Sequence, residues 1–175
     1  MRVIAGRLKG QTFDSPGGHR THPMSEKIRG AIFNALGDIE GLTFFDAYSG
    51  SGALAIEAVS RGAKSVLATD VSKEAYDTIT ANIKKLAIDK YIKVVRANTS
   101  GWCDNNLSAR FDIVMADPPY DDVQLKVLVK LAGHVKKGGL YVLSLPPTME
   151  FDVAGFNTLA ERDYGDAKVV YLSKL

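Results

Sequence analysis

Residues 43–52 read Thr-Phe-Phe-Asp-Ala-Tyr-Ser-Gly-Ser-Gly, an apolar run that passes into a glycine-rich stretch. The apolar half is typical of a buried strand, and a helical pattern follows the glycines until Gly62 ends it. Gly50 and Gly52 allow the backbone to turn tightly and to approach a ligand closely. A strand, a glycine turn and a helix in this order open a nucleotide-binding βαβ unit, so the sequence predicts an α/β fold.

A carboxylate ends each of the first two predicted strands. Asp46 ends the first, and the second runs from Ser65 to Thr69 and ends at Asp70, 18 residues beyond Gly52. That spacing is typical of an acidic residue that binds ribose hydroxyls. The alternative for Asp70 is an N-terminal cap of the next helix, although Ser72 can fill that role instead.

The position of Asp46 favours one cofactor over another. Dinucleotide dehydrogenases and methyltransferases that use S-adenosylmethionine share a glycine loop and an acidic residue after the second strand. A carboxylate just before the glycines repels a pyrophosphate, whereas it attracts the ammonium and sulfonium groups of S-adenosylmethionine. We therefore predict S-adenosylmethionine as the cofactor and keep a dehydrogenase as a less favoured alternative.

The third predicted strand, from Ile92 to Ala97, ends at Asn98. An asparagine at this position can bind the adenine part of a nucleoside, or its side chain can close a turn. The position alone does not decide between a cofactor contact and a structural role, so both interpretations stay open.

Residues 111–120 read Phe-Asp-Ile-Val-Met-Ala-Asp-Pro-Pro-Tyr and place another carboxylate at a strand end. The first half suits a buried strand, which Pro118 and Pro119 end because proline has no N–H to donate to a sheet. Asp117 can accept hydrogen bonds from an amine, the Pro118 carbonyl adds a second acceptor, and Tyr120 offers a ring on which a base can stack. The stretch predicts a catalytic site for the amino group of a nucleobase, with a purely structural acidic turn as the alternative.

The rest of the chain contains further elements that hydrophobic periodicity and turn residues predict. They are a small hairpin at 2–13, a helix at 24–36 ending at Gly37, a helix at 123–135 stopped by Gly138-Gly139, a strand at 140–145, and a closing antiparallel pair at 156–164 and 168–172.

Length and composition limit the class of protein. A chain of 175 residues with 46% hydrophobic and 24% charged residues is expected to form one domain, residues 1–175, with residues 1–40 as a basic hairpin and helix extension. No apolar run is long enough for a membrane helix, and one cysteine cannot form a disulfide within the chain, so we expect a cytoplasmic protein. His19 and His22 lack further ligands at suitable spacing, so no metal site is predicted.

The positive charge is concentrated at the start of the chain, where residues 1–30 contain six basic and two acidic residues. A basic arm of this kind suits contact with the phosphate backbone of a nucleic acid, and a solvated surface is the alternative. The candidate phosphate-binding residues are Arg2, Arg7, Lys9, Arg20, Lys27 and Arg29.

Several motifs together resemble the bacterial small-subunit rRNA guanine-N2 methyltransferases of the RsmD type, and the resemblance covers nearly the whole chain. The motifs are Arg-Val-Ile-Ala-Gly-Arg-Leu-Lys-Gly at 2–10, Pro-Met-Ser-Glu-Lys-Ile-Arg at 23–29 leading to Phe33-Asn34, Asp-Ala-Tyr-Ser-Gly-Ser-Gly-Ala-Leu at 46–54, Glu57 with Ser-Arg-Gly-Ala at 60–63, and Asp-Pro-Pro-Tyr at 117–120.

The resemblance implies a class I methyltransferase fold, a Rossmann-like seven-stranded sheet in which the last hairpin places an antiparallel strand among parallel ones. It implies methylation of one guanine N2 of 16S rRNA within the small ribosomal subunit or its assembly intermediate. Separately, we expect the protein to be a monomer. By position, residues 117–120 would hold the target base. The implied cofactor contacts are Asp46, Ser49, Gly50 and Gly52 for the methionine end, Asp70 for the ribose and Asn98 for the adenine side, and Val71 is a further candidate cofactor contact.

The sequence departs from the family pattern at four positions. His22 stands where the family usually has arginine and Gly30 where it usually has glutamate, and Leu143 and Leu145 replace acidic residues. These departures concern the substrate more than the reaction. Two alternatives therefore stay open: an adenine-N6 methyltransferase acting on DNA or RNA, and an RNA-binding assembly factor without catalytic activity.

Overall fold

The structure is a computed structural model and describes residues 1–17 and 24–175. Its strands form one seven-stranded sheet in the order β3-β2-β1-β4-β5-β7-β6. Strand β7 runs antiparallel to both neighbours, and the other six strands run parallel to each other. The mostly parallel sheet predicted from the sequence is thus confirmed. The strands are β1 Thr43–Asp46, β2 Ser65–Asp70, β3 Ile92–Arg96, β4 Phe111–Ala116, β5 Val135–Leu145, β6 Phe156–Asp163 and β7 Lys168–Lys174.

Helices cover both faces of the sheet, as a parallel sheet requires. The first three helices and the N-terminal segment contribute to one hydrophobic cluster, and the last two contribute to another on the opposite face. Because β1 to β4 are parallel and buried, their carboxyl ends meet at one edge of the sheet, where ligands bind in folds of this type. The helices are α1 Glu26–Leu36, α2 Ala53–Ser60, α3 Lys73–Lys85, α4 Thr99–Asn105 and α5 Leu125–Ala132.

The boundary between α5 and β5 differs from the prediction. The helix ends at Ala132, and β5 already begins at Val135, so Gly138-Gly139 lies inside the strand instead of ending the helix. Phe111 pairs with Val135 whereas Ile113 pairs with Leu140, so the longer β5 bulges against β4. A Cβ on Gly139 would lie 2.6 Å from the Asp112 carbonyl oxygen, which explains a glycine at this close approach.

The N-terminal segment forms less regular structure than the predicted hairpin. One antiparallel bridge joins Arg2 to Thr12, and no strand of the main sheet includes this region. The segment is held on α2, because the backbone N–H groups of Ile4 and Ala5 donate to the Glu57 carboxylate at 2.9 and 3.0 Å. Glu57 therefore fixes the start of the chain to the helix that follows the glycine loop.

Candidate active site

Three carboxylates lie at the carboxyl-end edge of the sheet. Asp46 and Asp70 are the last residues of β1 and β2, and Asp117 directly follows β4. Asp46 pairs with Ala68 of β2 and with Met115 of β4, so the three strand ends are neighbours. The structure thus brings together the acidic residues that the sequence assigned to the cofactor and to the base.

Asp46 is a buried carboxylate without a partner. It is 2% exposed, and among the described residues no donor bonds either of its carboxylate oxygens. Burial, followed by the negative charges of Asp117 and Asp70, raises the pKa of Asp46 to about 7. A buried carboxylate in this state stabilises a cation that replaces the missing partner. Its environment therefore fits the positively charged methionine end of S-adenosylmethionine.

The glycine loop has the tight turns that the sequence predicted. Gly50 and Gly52 have φ angles of 50° and 80°, in the left-handed region that favours glycine. A Cβ on Gly52 would come within 3.1 Å of Ile79 in α3, so the loop packs closely on that helix. The Ser49 hydroxyl donates to the Asp46 carbonyl oxygen at 2.8 Å and stabilises the turn out of β1.

Asp70 is bonded to the glycine loop. Its Oδ2 accepts from the Gly50 N–H at 2.9 Å, and its Oδ1 accepts from the Ser72 N–H at 2.8 Å. The cap of α3 is Ser72, whose hydroxyl accepts from Ala75 N–H, so Asp70 is not the helix cap. A carboxylate has about four acceptor sites, so these two bonds leave room for ribose hydroxyls. The neighbouring Val71 side chain is exposed at the same edge.

Asn98 has a structural contact at this edge. Its side chain accepts from the Gly101 N–H at 3.2 Å and caps α4. The turn-closing interpretation of Asn98 therefore describes its observed bond, while the predicted contact with adenine stays a prediction.

The Asp117–Tyr120 stretch combines a partly buried acid with an exposed ring. Burial raises the pKa of Asp117 to about 6, although a hydrogen bond from Ser144 lowers it. Pro118 is buried, and the carbonyl of the exposed Pro119 accepts from the Asp122 N–H at 3.1 Å. The side chain of Tyr120 is 39% exposed, and its hydroxyl lies 2.6 Å from Ser144 Oγ.

Ser144 was not predicted from the sequence as a site residue. It lies near the carboxyl end of β5, one residue beyond Leu143, which pairs with Ala116 of β4. Strand β5 is otherwise apolar from Leu140 to Leu145 except for its tyrosine. The sequence signal that could have identified Ser144 is a hydroxyl at the end of a buried strand, because strand ends carry the ligand-binding groups in this fold.

One predicted phosphate contact is wrong. Arg29 is fully buried, its Nη2 donates to the Arg2 carbonyl oxygen at 2.7 Å, and its Nε lies 3.8 Å from Glu57 Oε2. A guanidinium in this position cannot reach an RNA phosphate. It pairs instead with the carboxylate that holds the N-terminal segment.

The other basic candidates lie at different edges of the molecule. Arg7 donates its N–H to the carbonyl of Ser60, the last residue of α2, and its guanidinium lies 4.5 Å from the ring centroid of Tyr91 before β3. These contacts place Arg7 at the amino-end edge, opposite Asp117. Arg2, Lys9 and Lys27 are exposed, and Arg20 lies outside the described residues.

The departures from the family pattern also have structural positions. Leu143 and Leu145 are fully buried in the cluster that contains α4 and α5, so they pack instead of facing a ligand. Gly30 is buried in α1, where an added Cβ would meet Ile4 at 3.6 Å. His22 lies outside the described residues, as does His19.

The described part of the chain contains no group of three or more His, Cys, Asp or Glu side chains arranged to hold a metal ion. Within residues 1–17 and 24–175, every helix is too short or too polar to span a membrane.

The sheet order with β7 between β5 and β6, and the acidic strand ends beside a glycine loop, define a class I methyltransferase. A protein family described as Conserved hypothetical protein 95 matches residues 1–173. The chain belongs to this family, that of the RsmD-type methyltransferases. The methyltransferase relatives also confirm the S-adenosylmethionine dependence that the sequence predicted.

Three known proteins illustrate the similarity. Ribosomal RNA small subunit methyltransferase D of Buchnera aphidicola is 31% identical over 135 residues, which cover 77% of this chain and 70% of that protein. A candidate methyltransferase of Escherichia coli, yhhF, superimposes with a TM-score of 0.87 at 22% identity and covers 99% of this chain and 97% of its own. SMU.776, solved with S-adenosylhomocysteine, gives a TM-score of 0.71 at 16% identity over 84% of this chain and 48% of its own. The two structures show the shared fold.

Proposed function

We propose that this protein transfers a methyl group from S-adenosylmethionine to the exocyclic N2 of a guanine in 16S rRNA. The observation that carries the proposal is the pair of acids at neighbouring strand ends, with the unpartnered Asp46 on the cofactor side and Asp117 beside Tyr120 on the base side. The name of the Buchnera relative supports small-subunit rRNA as the substrate. The small subunit or its assembly intermediate is the proposed partner, bound by a monomer in the cytoplasm.

On the cofactor side, the chain supplies negative charge and a glycine loop whose backbone can approach the cofactor closely. Asp46 would bind the ammonium group, and Asp70 would accept hydrogen bonds from the ribose while it holds the Gly50 N–H. When bound, S-adenosylmethionine supplies a methyl group made electrophilic by its positively charged sulfur. Because that charge drives the reaction, the acids need only orient the donor and stabilise its charge.

On the base side, the chain makes a weak nucleophile reactive. The lone pair of guanine N2 is delocalised into the ring, so acceptors for its two hydrogens help to localise it. Asp117 and the Pro118 carbonyl would accept these hydrogens, and Tyr120 would stack on a base turned out of its helix, a contact of about 1–3 kcal/mol. The N2 lone pair would form the new bond to the methyl carbon as the bond from that carbon to sulfur breaks and its electron pair stays on sulfur, and the proton that N2 loses would pass to Asp117 or to water.

The assignment of the two acids is tested with single substitutions. Asp117→Ala is expected to lower methyl transfer at least about 100-fold while the calorimetric affinity for S-adenosylmethionine stays nearly unchanged. Asp70→Ala is expected to weaken cofactor affinity. Asp121→Ala removes an exposed carboxylate one residue beyond the motif and serves as the matched control. An active Asp117→Ala variant would refute the proposed catalytic role.

The substrate is tested by mapping the modification. Unmodified small subunits and naked rRNA are incubated separately with cofactor carrying a labelled methyl group, and nucleosides are identified by mass spectrometry. N2-methylguanosine is expected. Labelled N6-methyladenosine would identify the adenine-N6 alternative, and cofactor binding without any labelled nucleoside would support the assembly factor.

A further inference from the structure

Ser144 lies between two residues of the proposed base site. It is 3% exposed, and its Oγ lies 2.6 Å from the Tyr120 hydroxyl. The same serine lowers the pKa of Asp117, which burial otherwise raises. One buried hydroxyl therefore bonds the hydroxyl of the ring that would stack on the base, and it also lowers the pKa of the acid that would accept the amino hydrogens.

The direction of these bonds follows from donor and acceptor chemistry. An ionised carboxylate only accepts hydrogen bonds, whereas a hydroxyl has one hydrogen and two lone pairs. When Asp117 is ionised, Ser144 must use its hydrogen to donate to Asp117. The bond between the two hydroxyls then runs from Tyr120 to Ser144, because Ser144 has no second hydrogen.

We propose that Ser144 is a positioning residue of the methyl-transfer site, which fixes the Tyr120 ring and the Asp117 carboxylate relative to each other. The proposal rests on the function proposed above. A ring that is partly exposed gains rotational freedom without a bond at its hydroxyl, and loss of alignment between a base and a methyl donor is costly in rate. The buried serine provides that bond from a strand, which holds it more rigidly than a loop would.

The surroundings of Asp117 make the serine bond the contact that favours its ionised form. The charged groups that face the site are Asp46 from β1 and Asp70 from β2, both acidic, and Asp166 acts on Tyr120 from the turn before β7. Burial opposes the ionisation of Asp117. The hydrogen bond from Ser144 lowers the pKa of Asp117, so its loss is expected to raise that pKa.

A pair of variants separates positioning from general stability. Ser144→Ala is expected to lower kcat about 10- to 100-fold with unchanged cofactor affinity, and to move the acidic limb of the pH profile of kcat/KM to higher pH. Tyr120→Phe keeps the ring and keeps the serine donating to Asp117. It is therefore expected to lower kcat while the acidic limb stays at its original pH.

Controls keep each outcome interpretable. Ser144→Cys retains the size of the side chain but is a weak donor, so it tests the same loss if the alanine variant unfolds. An unchanged kcat and pH profile in a folded Ser144 variant would overturn the proposal. If Asp117→Ala is inactive while the Ser144 variants behave as wild type, only the serine role fails. If Asp117→Ala remains active, the proposed function fails as well.

Discussion

The binding role proposed for Asp46 carries a cost to stability. Its pKa is raised to about 7 in the folded protein, mainly by burial, whereas an aspartate in the unfolded chain titrates near 3.8. Between these two values the folded state holds a proton that the unfolded state has released. Asp46 therefore makes the free energy of unfolding decrease as the pH rises from about 4 to about 7. A buried carboxylate of this kind favours a bound cation but lowers the free energy of unfolding of the protein without ligand.

Asp46→Asn is expected to increase the free energy of unfolding at pH 8 by about 1–4 kcal/mol, because no buried charge forms. The gain should shrink as the pH falls and vanish well below pH 4, where the wild-type carboxyl is protonated in both states. Urea unfolding at the two pH values measures it, with Asp121→Asn as an exposed control. The same variant should lose at least about tenfold in cofactor affinity. Equal stability of wild type and variant at pH 8 would contradict the cost assigned to this carboxylate.

Arg29 shows what residue type alone cannot predict. In the sequence it is one of six basic residues in the first 30, and the charge count suggested phosphate contact. In the fold it faces Glu57, which also accepts from Arg61 Nε at 2.8 Å. A buried pair between residues so distant in sequence depends on how α1 packs on α2. Hydrophobic periodicity does not contain that information.

At the scale of elements, the strands and turns with strong local signals were predicted well. The β1, glycine loop and α2 unit follows from an apolar run that meets glycines, and the closing β6 and β7 pair follows from two segments on either side of Gly165. The start of β5 was missed because Gly138-Gly139 resembles a helix stop, whereas pairing with β4 requires a bulge there. The edge that gathers the acids was predictable, since parallel strand ends meet. The hydrogen bond between Ser144 of β5 and Tyr120 after β4 was not predictable from the sequence.

The glycine loop depends on a neighbouring helix that carries no predicted site residue. Asn82 of α3 is buried, and its amide accepts from the Asp14 N–H and donates to the Asp14 carbonyl, both at 2.9 Å. The same amide nitrogen lies 3.3 Å from the carbonyl oxygen of Ser51, between the two glycines of the loop. One side chain thus joins the N-terminal segment to the cofactor loop.

Asn82→Leu is expected to lower the free energy of unfolding by about 1–3 kcal/mol, because backbone groups lose buried partners. The substitution should also weaken cofactor binding several-fold, because the Ser51 carbonyl loses its bond to α3 and the loop is held less firmly. Chemical unfolding and calorimetry measure the two effects. Lys85→Ala, which removes only the exposed 3.6 Å ion pair with Asp14, is the control and should change neither by much. Unchanged cofactor affinity in a destabilised Asn82 variant would restrict its role to the fold.

At the scale of the whole molecule, the exposed charges around the proposed base site are mainly negative. Several exposed carboxylates surround the turns after β4, after β5 and between β6 and β7. Exposed cations from the basic N-terminal region lie at the start of α1, where Arg2 pairs with Glu26 at 3.4 Å and Lys27 follows. We expect an RNA backbone to approach from the α1 side, where the basic residues of the N-terminal region lie. The acidic residues are Asp121, Asp122, Glu150, Asp152, Asp163 and Asp166.

Lys27→Ala is expected to weaken RNA binding and to reduce the slope of log affinity against log salt concentration by about 0.7–0.9, the value for one lost phosphate contact. Lys137→Ala removes the same charge from an exposed residue at the start of β5, on the opposite edge, and should leave the slope unchanged. Filter binding of small-subunit rRNA at several salt concentrations measures both. Equal slope changes in the two variants would mean that RNA binding follows net charge and not the α1 side, because long-range attraction does not distinguish the edges.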